Sequence, residues 1–458
     1  MLPAMEKLSA AQRVPAITTP TATNERSSST RRLTAPYDAL AGHRFLFPLF
    51  VFLVHYLIVQ VAATLAYVYG TSRASSGPYE GSLGPPRDMT GFWEPLVGPL
   101  RLWDGLWYKQ IAERGYEFGS ANAAFWPLLP WVMRYGSDLT GLEPEVVGYL
   151  FTNACFLGAL IVLYQLIRID FRDTLARTTL WAIALFPTAF FFTAVYTEAP
   201  FLFFAALCLL CARKGEWLAA GVVGLLAALT RSQGIMLLAP LGLLLIQQNG
   251  FNIRRWVPNV FYAGIPILGP VLFGWRLEQA GHSWRSFIDV QSEWYRTSAM
   301  PWETFRCATR GCELELTVYG RTWMQPADGA DWGWARQLWE NRSWAFFTSG
   351  DWRNYVANSD TLELVVTLIF LGLAVIGLFK LPIWMSAYVW PPLIVPLFQP
   401  STVHPLMSMP RFVIVLFPLF IVLAMLLEGR WVKIISALVS VTLLVLLTIQ
   451  FSQWYWVS

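Results

Sequence analysis

Long apolar runs alternate with short polar segments along most of the chain, and this alternation predicts a series of membrane-spanning helices. A helix needs roughly 17–20 apolar residues to cross a bilayer core. Runs of that order lie at about residues 45–68, 146–168, 176–194, 197–213, 256–277, 360–379, 383–399, 410–427 and 431–452. The pattern therefore predicts an all-α polytopic membrane protein.

A further apolar stretch, residues 217–248, is interrupted by the polar sequence TRSQG at Thr230–Gly234. One helix over this whole stretch would be about 48 Å long, whereas a bilayer core is about 30 Å thick. Two spans meeting at TRSQG place the basic loops on one side, as the positive-inside rule requires. Those loops are RIDFRD, ARKGEW, NIRRW, the corner at Lys380 and EGRWVK. We predict about 11 spans, a cytoplasmic N-terminus and an extracytoplasmic C-terminus.

This topology places several polar segments on one outer face. They are the first outer loop at residues 69–145, the YTE hairpin, RSQG, the large loop at residues 278–358, and QPSTVHPLMSMPR. AFWPLLPWVMRYGSDL in the first loop is apolar, but Pro127 and Pro130 disfavour a straight spanning helix. We interpret it as a re-entrant or interfacial segment. A site built from loops on one face is the expected result.

The sequence RLWDGLWYKQIAERGY, residues 101–116, predicts an amphipathic helix in the first outer loop. Trp103, Trp107 and Ile111 recur at helical spacing, which suits a helix lying in the membrane interface. Asp104 at its start has two interpretations. It either stabilises the first helical turn or serves as a base where a lipid-borne substrate presents its headgroup.

Ionisable residues next to apolar sequence are the other candidates, because charges at membrane depth are costly. Glu198 in AVYTEAPF is either a functional acid or a helix cap. Arg231 needs a partner, either Asp104 or Glu198, or an anion such as a lipid phosphate, which guanidinium geometry suits. Arg411 either binds such a phosphate or reaches the headgroups. His404, alone among prolines and methionines, is more simply a loop residue.

The loop at residues 278–358 holds nine tryptophans, which suit either an interfacial aromatic belt or stacking on sugar faces. Cys307 and Cys312 in this loop form a disulfide only if the loop faces an oxidising compartment. The other cysteines lie in apolar spans and suit the core.

Composition narrows the class of protein. The chain is 55% hydrophobic and 14% charged, with a net charge of +4 that gives no indication of nucleic-acid binding. Residues 1–42 are polar and predict a disordered cytoplasmic tail, leaving residues 43–458 as one membrane domain. No cluster of acids has metal-ligand spacing, so we predict no metal and no other cofactor.

The motifs WDGLWYKQIAERGY with AFWPLLP, FPTAFFFTAVYTEAPF, LTRSQG and PRFVIVLFPLF occur in this order over roughly residues 90–430. In this the chain resembles the PIG-V family of membrane mannosyltransferases, within the GT-C class of multi-span glycosyltransferases. The resemblance implies a GT-C-like fold and a polyprenyl-phosphate-linked donor, which is dolichyl-phosphate mannose in the family's eukaryotic members. It also implies a lipid or glycolipid acceptor and transfer on the extracytoplasmic face, in the plasma membrane of a prokaryote or the endoplasmic reticulum of a eukaryote.

The resemblance also implies roles for individual residues. Asp104 becomes the leading catalytic candidate, because enzymes of this class carry an essential acid in the first outer loop. Donor binding is expected of Arg231, Arg411, Gln233 and Trp103, where Gln233 stands in place of the family's more frequent Asn. Supporting roles are expected of Glu198, Tyr196 and Glu117. His404 is added as a supporting candidate from its place in the outer segment QPSTVHPLMSMPR and not from the resemblance. We expect an inverting, metal-independent transfer. The alternatives are a lipid or small-molecule transporter, a protein O-mannosyltransferase, an aminosugar transferase and a structural subunit.

Overall fold

The computed structural model describes residues 44–70, 89–117, 120–250, 254, 256–318, 320–330 and 359–457. Almost all regular structure in these residues is helical. This confirms the predicted all-α class, but not the predicted number of spans. The predicted tail, residues 1–42, lies outside the described residues. Pro48–Ser458 form one compact unit, and of the N-terminal unit Met1–Phe47 only the last four residues are described.

The α-helices are α1 (Leu46–Tyr69), α2 (Glu94–Val97), α3 (Asp104–Arg114), α4 (Leu128–Thr140), α5 (Pro144–Asp170), α6 (Asp173–Ala184), α7 (Glu198–Arg213), α8 (Trp217–Thr230), α9 (Leu238–Asn249), α10 (Asn259–Gly264), α11 (Leu268–Gln279), α12 (Ser286–Asp289), α13 (Pro301–Arg310), α14 (Ser359–Lys380), α15 (Ile383–Ile394), α16 (Met409–Ile414), α17 (Phe417–Leu426) and α18 (Arg430–Ser452). One antiparallel hairpin, β1 (Cys312–Val318) and β2 (Arg321–Ala327), lies between α13 and α14. The sequence analysis did not predict this hairpin.

Among the described residues, five helical stretches are long and apolar enough to cross a membrane. They are α1, α5, the stretch Asn259–Gln279 that contains α10 and α11, α14, and α18. The shorter apolar helices Trp217–Thr230, Ile383–Phe398 and Phe417–Leu426 coincide with predicted spans. These helices support a multi-pass membrane protein, while the predicted number of spans and their orientation stay predictions.

The apolar stretch 217–248 is broken where the sequence predicted. Helix α8 ends at Thr230, and Arg231 is extended, with φ −155° and ψ 152°. A 3-10 turn over Ser232–Leu237 leads into α9. Gly234 lies so close to α8 that a Cβ atom there would approach the Cα of Ala228 to 2.3 Å. One continuous helix is therefore excluded, and Arg231 lies at the break.

Most of AFWPLLPWVMRYGSDL lies in the 13-residue helix α4, which begins at Leu128 and falls outside the candidate spans of the described residues. Pro127 caps this helix and Pro130 lies in its first turn, where proline is tolerated because the N–H groups there have no intrahelical partner. Helix α4 packs against α3 and α5. The prolines thus start a short helix that supports α3.

The described part of the large loop, residues 278–330 without residue 319, makes backbone hydrogen bonds to the segment at residues 397–403. Backbone N–H groups of Thr297 and Ala299 donate to the carbonyls of Pro400 and Phe398, at 3.0 and 3.2 Å. A disulfide joins Cys307 to Cys312, between the end of α13 and the start of β1. Residues 331–358, with several of the loop's tryptophans, lie outside the described residues.

The phenylalanine-rich segment between α6 and α7 is buried in the core. Phe190, Phe191 and Phe192 are at most 1% exposed, and Ala189–Phe192 form a 3-10 turn. The ring of Phe191 lies 5.2 Å from that of Tyr196 and 5.7 Å from that of Phe451. This packing fixes the backbone that leads into α7 and so fixes the position of Glu198.

Candidate active site

Asp104 is the first residue of α3, and its backbone is held from the neighbouring segment. The hydroxyl of Tyr196 accepts a hydrogen bond from the Asp104 N–H at 3.2 Å and donates one to the carbonyl of Leu102 at 3.1 Å. Trp103, between these two residues, has φ 56° and ψ −114°. The Tyr196 hydroxyl thus contacts the backbone on both sides of Trp103, and its supporting role in the site stays a prediction.

The carboxylate of Asp104 binds Arg411, from a short helix more than 300 residues later in the chain. Arg411 Nη1 lies 2.7 Å from Asp104 Oδ2, and Arg411 Nε lies 3.0 Å from Glu198 Oε1. Arg231 Nη1 lies 2.5 Å from the same Glu198 oxygen. Asp104 and Glu198 were the two side chains proposed as partners of Arg231, and in the structure its partner is Glu198.

These four side chains form a buried charge cluster, which we call the Asp104 cluster: Asp104, Glu198, Arg231 and Arg411. The side chain of Glu198 is 0% exposed, and those of Arg231 and Arg411 are 9% and 7% exposed. The two positive and two negative charges balance, which is the condition for keeping ionised groups buried. Arg411 also lies over the ring of Tyr196, 4.7 Å from its centroid.

A cavity of about 190 Å³ opens beside this cluster. Its charged lining consists of Asp104, Arg231, Arg296 and Arg411. Its aromatic lining consists of Tyr108, Phe125, Trp126, Phe287, Trp294, Phe412 and Trp456. Burial and the nearby charge of Asp104 raise the pKa of Tyr108 above its ordinary value. One wall of the cavity therefore suits an anion, and its aromatic rings suit the face of a sugar.

Arg296 is a cavity residue that the sequence analysis did not identify. Its guanidinium donates to the carbonyls of Gln399 and Met407 at 2.9 and 3.1 Å. Arg231 and Arg296 both lie near the ring of Phe412, with their Cζ atoms 5.5 and 5.8 Å from its centroid. The sequence QSEWYRTS around Arg296 has no distinctive spacing, so only the tertiary structure reveals it.

Several predicted site residues lie outside this cavity. Glu198, Tyr196 and Gln233 are buried and absent from its lining, and Trp103 is absent from it as well. His404 Nδ1 lies 3.0 Å from Asp360 Oδ1, and His404 is also absent from the cavity lining. Burial lowers the pKa of His404, but the hydrogen bond and charge of Asp360 outweigh burial, so the pKa is raised overall.

Glu117 also lies outside the cavity. Its carboxylate is 54% exposed and pairs with Arg276 at 3.2 Å. A hydrogen bond from its own backbone N–H, together with Arg276, lowers the pKa of Glu117. Glu117 is thus an ionised surface residue, and the structure does not bring it together with Asp104.

A second group of buried ion pairs holds the chain on both sides of Asp104. Arg101 and Lys109 both bind Glu145 Oε1 at the start of α5, with Lys109 Nζ at 2.7 Å. Gly105, Leu106, Tyr108, Ile111 and Ala112 of α3 are buried. The amphipathic helix therefore packs its apolar face on the protein, and Lys109 joins it to α5 through Glu145.

Residues 44–251 match the family model described as Mannosyltransferase (PIG-V). The chain is 31% identical over 167 residues to GPI alpha-1,6-mannosyltransferase 2 of Rattus norvegicus, covering 34% of this chain and 33% of the rat protein. It is 32% identical over 179 residues to the Mus musculus protein of the same name, covering 36% and 35%. For GPI mannosyltransferase 2 of Chaetomium globosum, identity is 28% over 189 residues, covering 37% and 38%. No solved structure matches the chain.

The chain thus spans about one third of the length of the curated relatives it matches. The matched residues 44–251 include Asp104, Glu198 and Arg231, while Arg411 and His404 lie beyond them. The resemblance proposed for PRFVIVLFPLF stays a prediction. For residues 44–251, the predicted resemblance to the PIG-V family of mannosyltransferases is confirmed.

Proposed function

We propose that the protein is a membrane glycosyltransferase that moves mannose, or a related hexose, from a polyprenyl-phosphate-linked donor to a lipid-linked or glycolipid acceptor. The observation that carries this proposal is the cavity in which the carboxylate of Asp104 faces the same space as Arg231, Arg296 and Arg411. The relatives' names as mannosyltransferases support the sugar. A base beside an anion-binding wall is what transfer from a sugar phosphate requires.

The proposed reaction is a single displacement that inverts the anomeric carbon. The acceptor hydroxyl oxygen attacks this carbon, and its proton passes to the carboxylate of Asp104. The bond between the anomeric carbon and the phosphate oxygen breaks, and its electron pair leaves with the polyprenyl phosphate. Asp104 is suited to the role of base because, within the described residues, it is the only carboxylate that lines the cavity.

The arginines are proposed to bind the donor phosphate. Three guanidinium groups line the cavity against one carboxylate, so an added anion improves the charge balance. Arg411 uses Nε and Nη1 for Glu198 and Asp104, and a guanidinium has five N–H donors in all. Guanidinium groups can thus stabilise the charge that develops on the leaving phosphate. The proposal accordingly includes no metal and no other cofactor.

Glu198 is proposed to act as the counter-ion that holds both arginines, because it is buried behind them and does not line the cavity. Trp126 and Trp294 line the cavity, and their rings are suited to stack on a sugar and orient the acceptor. Within the Asp104 cluster, Asp104 is thus proposed as the base, Glu198 as the counter-ion, and the two arginines together as the phosphate-binding groups.

We further propose a GT-C-like arrangement with about 11 spans and the cavity on the extracytoplasmic face. The disulfide between Cys307 and Cys312 supports this orientation, because disulfides persist in oxidising compartments. Arg296, which lines the cavity, belongs to the same loop as this disulfide. The cavity would therefore open on the same side of the membrane as the disulfide, which is the extracytoplasmic side. The compartment would be the endoplasmic reticulum or a plasma membrane, according to the cell.

The experiment that tests the proposal is sugar transfer by the purified full-length protein in liposomes. The liposomes contain polyprenyl-phosphate mannose and a glycolipid extract, and the assay is run with and without EDTA. Asp104→Asn should lower kcat by about 10²-fold or more, as expected for loss of a general base. Asp138→Asn, on the exposed face of the neighbouring helix α4, should keep parent activity. Undiminished transfer by Asp104→Asn would exclude Asp104 as the base, and absence of transfer by the parent would contradict the proposal.

A further inference from the structure

Trp103, the residue that precedes Asp104, has an unusual backbone conformation. Its φ of 56° combines with a ψ of −114°, a region that side chains other than glycine rarely occupy. Such a conformation persists only where surrounding contacts hold it, and it is typical of functional sites. Because Trp103 directly precedes α3, its backbone conformation contributes to the direction in which α3 starts and so to the position of the Asp104 carboxylate.

The contacts that hold the Trp103 ring come from the segment that follows α18. The ring of Trp454 stacks on that of Trp103, with centroids 4.4 Å apart and planes 9° from parallel. The ring of Trp456 meets the Trp103 ring edge-on, at 5.2 Å and 80°. Trp456 also lines the cavity beside Asp104. The indole of Trp103 is therefore held between two tryptophans that lie some 350 residues later in the chain.

The segment that carries these rings is itself fixed to the end of α18. The N–H of Trp454 donates to the carbonyl of Phe451 at 3.1 Å, and that of Tyr455 donates to Gln450 at 3.0 Å. Trp454 is only 8% exposed and also has a positive φ, 67°. Phe451 packs in turn against Tyr196, at 5.8 Å between ring centroids. The segment thus contacts both the Trp103 ring and the core beside Tyr196, whose hydroxyl binds the Asp104 N–H.

We propose that Trp454 is a positioning residue for the transfer reaction: it stacks on Trp103, keeps that residue in its positive-φ conformation, and so places the Asp104 carboxylate in the cavity. This inference rests on the proposed function and adds a residue outside the family match, which ends at residue 251. Trp454 does not line the cavity, so it would act through Trp103 and Asp104 and make no contact with substrate.

A double-mutant cycle in the full-length protein tests this proposal. Trp454→Ala should lower kcat roughly 10-fold or more, because a shift of about 1 Å in a catalytic group costs on the order of 10²-fold in rate. The same substitution in an Asp104→Asn background should have little further effect, because residues that act through one group are not additive. Trp454→Phe, which can still stack, should recover most of the activity.

The matched control is Trp431→Ala, at the other end of the same helix α18, where the side chain is 73% exposed. It should leave kcat unchanged. If Trp454 had only a structural role, Trp454→Ala would lower the active fraction, and hence the rate, by the same factor in both backgrounds. Equal losses in both backgrounds, or no loss in either, would overturn the proposal.

A second measurement does not depend on sugar transfer. Four proteins that all carry Asp104→Cys are labelled with methyl methanethiosulfonate. One has no other substitution, and the others carry Trp454→Phe, Trp454→Ala or Trp431→Ala in addition. The slow labelling of the native cysteines is subtracted from each rate. The proposal predicts a several-fold change in labelling rate with Trp454→Ala alone. Identical rates in all four proteins would refute the positioning role, even if the proposed function were correct. A changed rate without sugar transfer by the parent would instead contradict only the proposed function.

Discussion

Glu198 provides a quantitative test of the Asp104 cluster, because one fully buried carboxylate oxygen binds two arginines. Glu198 Oε1 lies 2.5 Å from Arg231 and 3.0 Å from Arg411. Glu198→Gln preserves the size of the side chain but leaves one uncompensated positive charge among these buried groups. Breaking a buried pair by removing one partner costs about 3–5 kcal/mol. We expect Glu198→Gln to lower the free energy of unfolding by about 3 kcal/mol.

The coupling can be measured with a second substitution. Arg231→Met removes the excess positive charge that Glu198→Gln creates, and Arg411 with Asp104 then remains as a balanced pair. The double variant should therefore be more stable than the sum of the two single effects predicts, by about 1–3 kcal/mol. Thermal unfolding of the purified protein in one detergent gives the comparison, with Glu313→Gln on the exposed face of β1 as the control. Strict additivity would refute the reasoning, as would parent-like stability of Glu198→Gln.

Three further predictions concern residues outside this pair. Arg296→Met should raise the KM for the lipid-linked donor about 10-fold, as loss of a charge-assisted hydrogen bond implies, while Arg296→Lys should recover part of that loss. The raised pKa of His404 means that its contact with Asp360 stabilises the fold below the ordinary histidine pKa. This contribution should disappear as pH rises through the raised pKa, and thermal unfolding of Asp360→Asn should show a weaker pH dependence. Reduction of Cys307–Cys312 should increase hydrogen exchange in the β1–β2 hairpin and leave that of α5 unchanged.

The sequence predicted the ends of several elements because local chemistry determines them. The break at Thr230 follows from a charged residue, Arg231, within an apolar stretch too long for one span. Pro127 and Pro130 predicted that their stretch is not a straight spanning helix, and the structure has the short helix α4 there. The hairpin was missed although CELELTV alternates in burial, with Leu314 and Leu316 inward and the glutamates outward. That period-two pattern is present in the sequence, but CELELTV is short and lies in a polar, tryptophan-rich loop.

The partners within the site were less predictable, because the charges of the loops predict a side of the membrane for each segment but do not predict which side chains pair. A shared outer face was predicted for Asp104, Glu198, Arg231 and Arg411, but no local signal links Asp104 to Arg411. Arg296 was missed because it has no neighbouring motif. Trp454 was missed because a tryptophan at the end of an apolar helix also suits an interfacial position. Its stacking on Trp103 is visible only in the folded chain.

Charge balance explains why the site needs residues on both sides of residue 251. The part that matches the family supplies Asp104, Glu198 and Arg231, which together carry one more negative than positive charge. An uncompensated buried carboxylate is strongly unfavourable, and Arg411 supplies the missing charge by binding both acids at once. Arg296 then makes the cavity wall more positive, which suits an incoming phosphate. The residues beyond 251 thus stabilise the acids of the matched part and add the positive charge that the proposed phosphate donor requires.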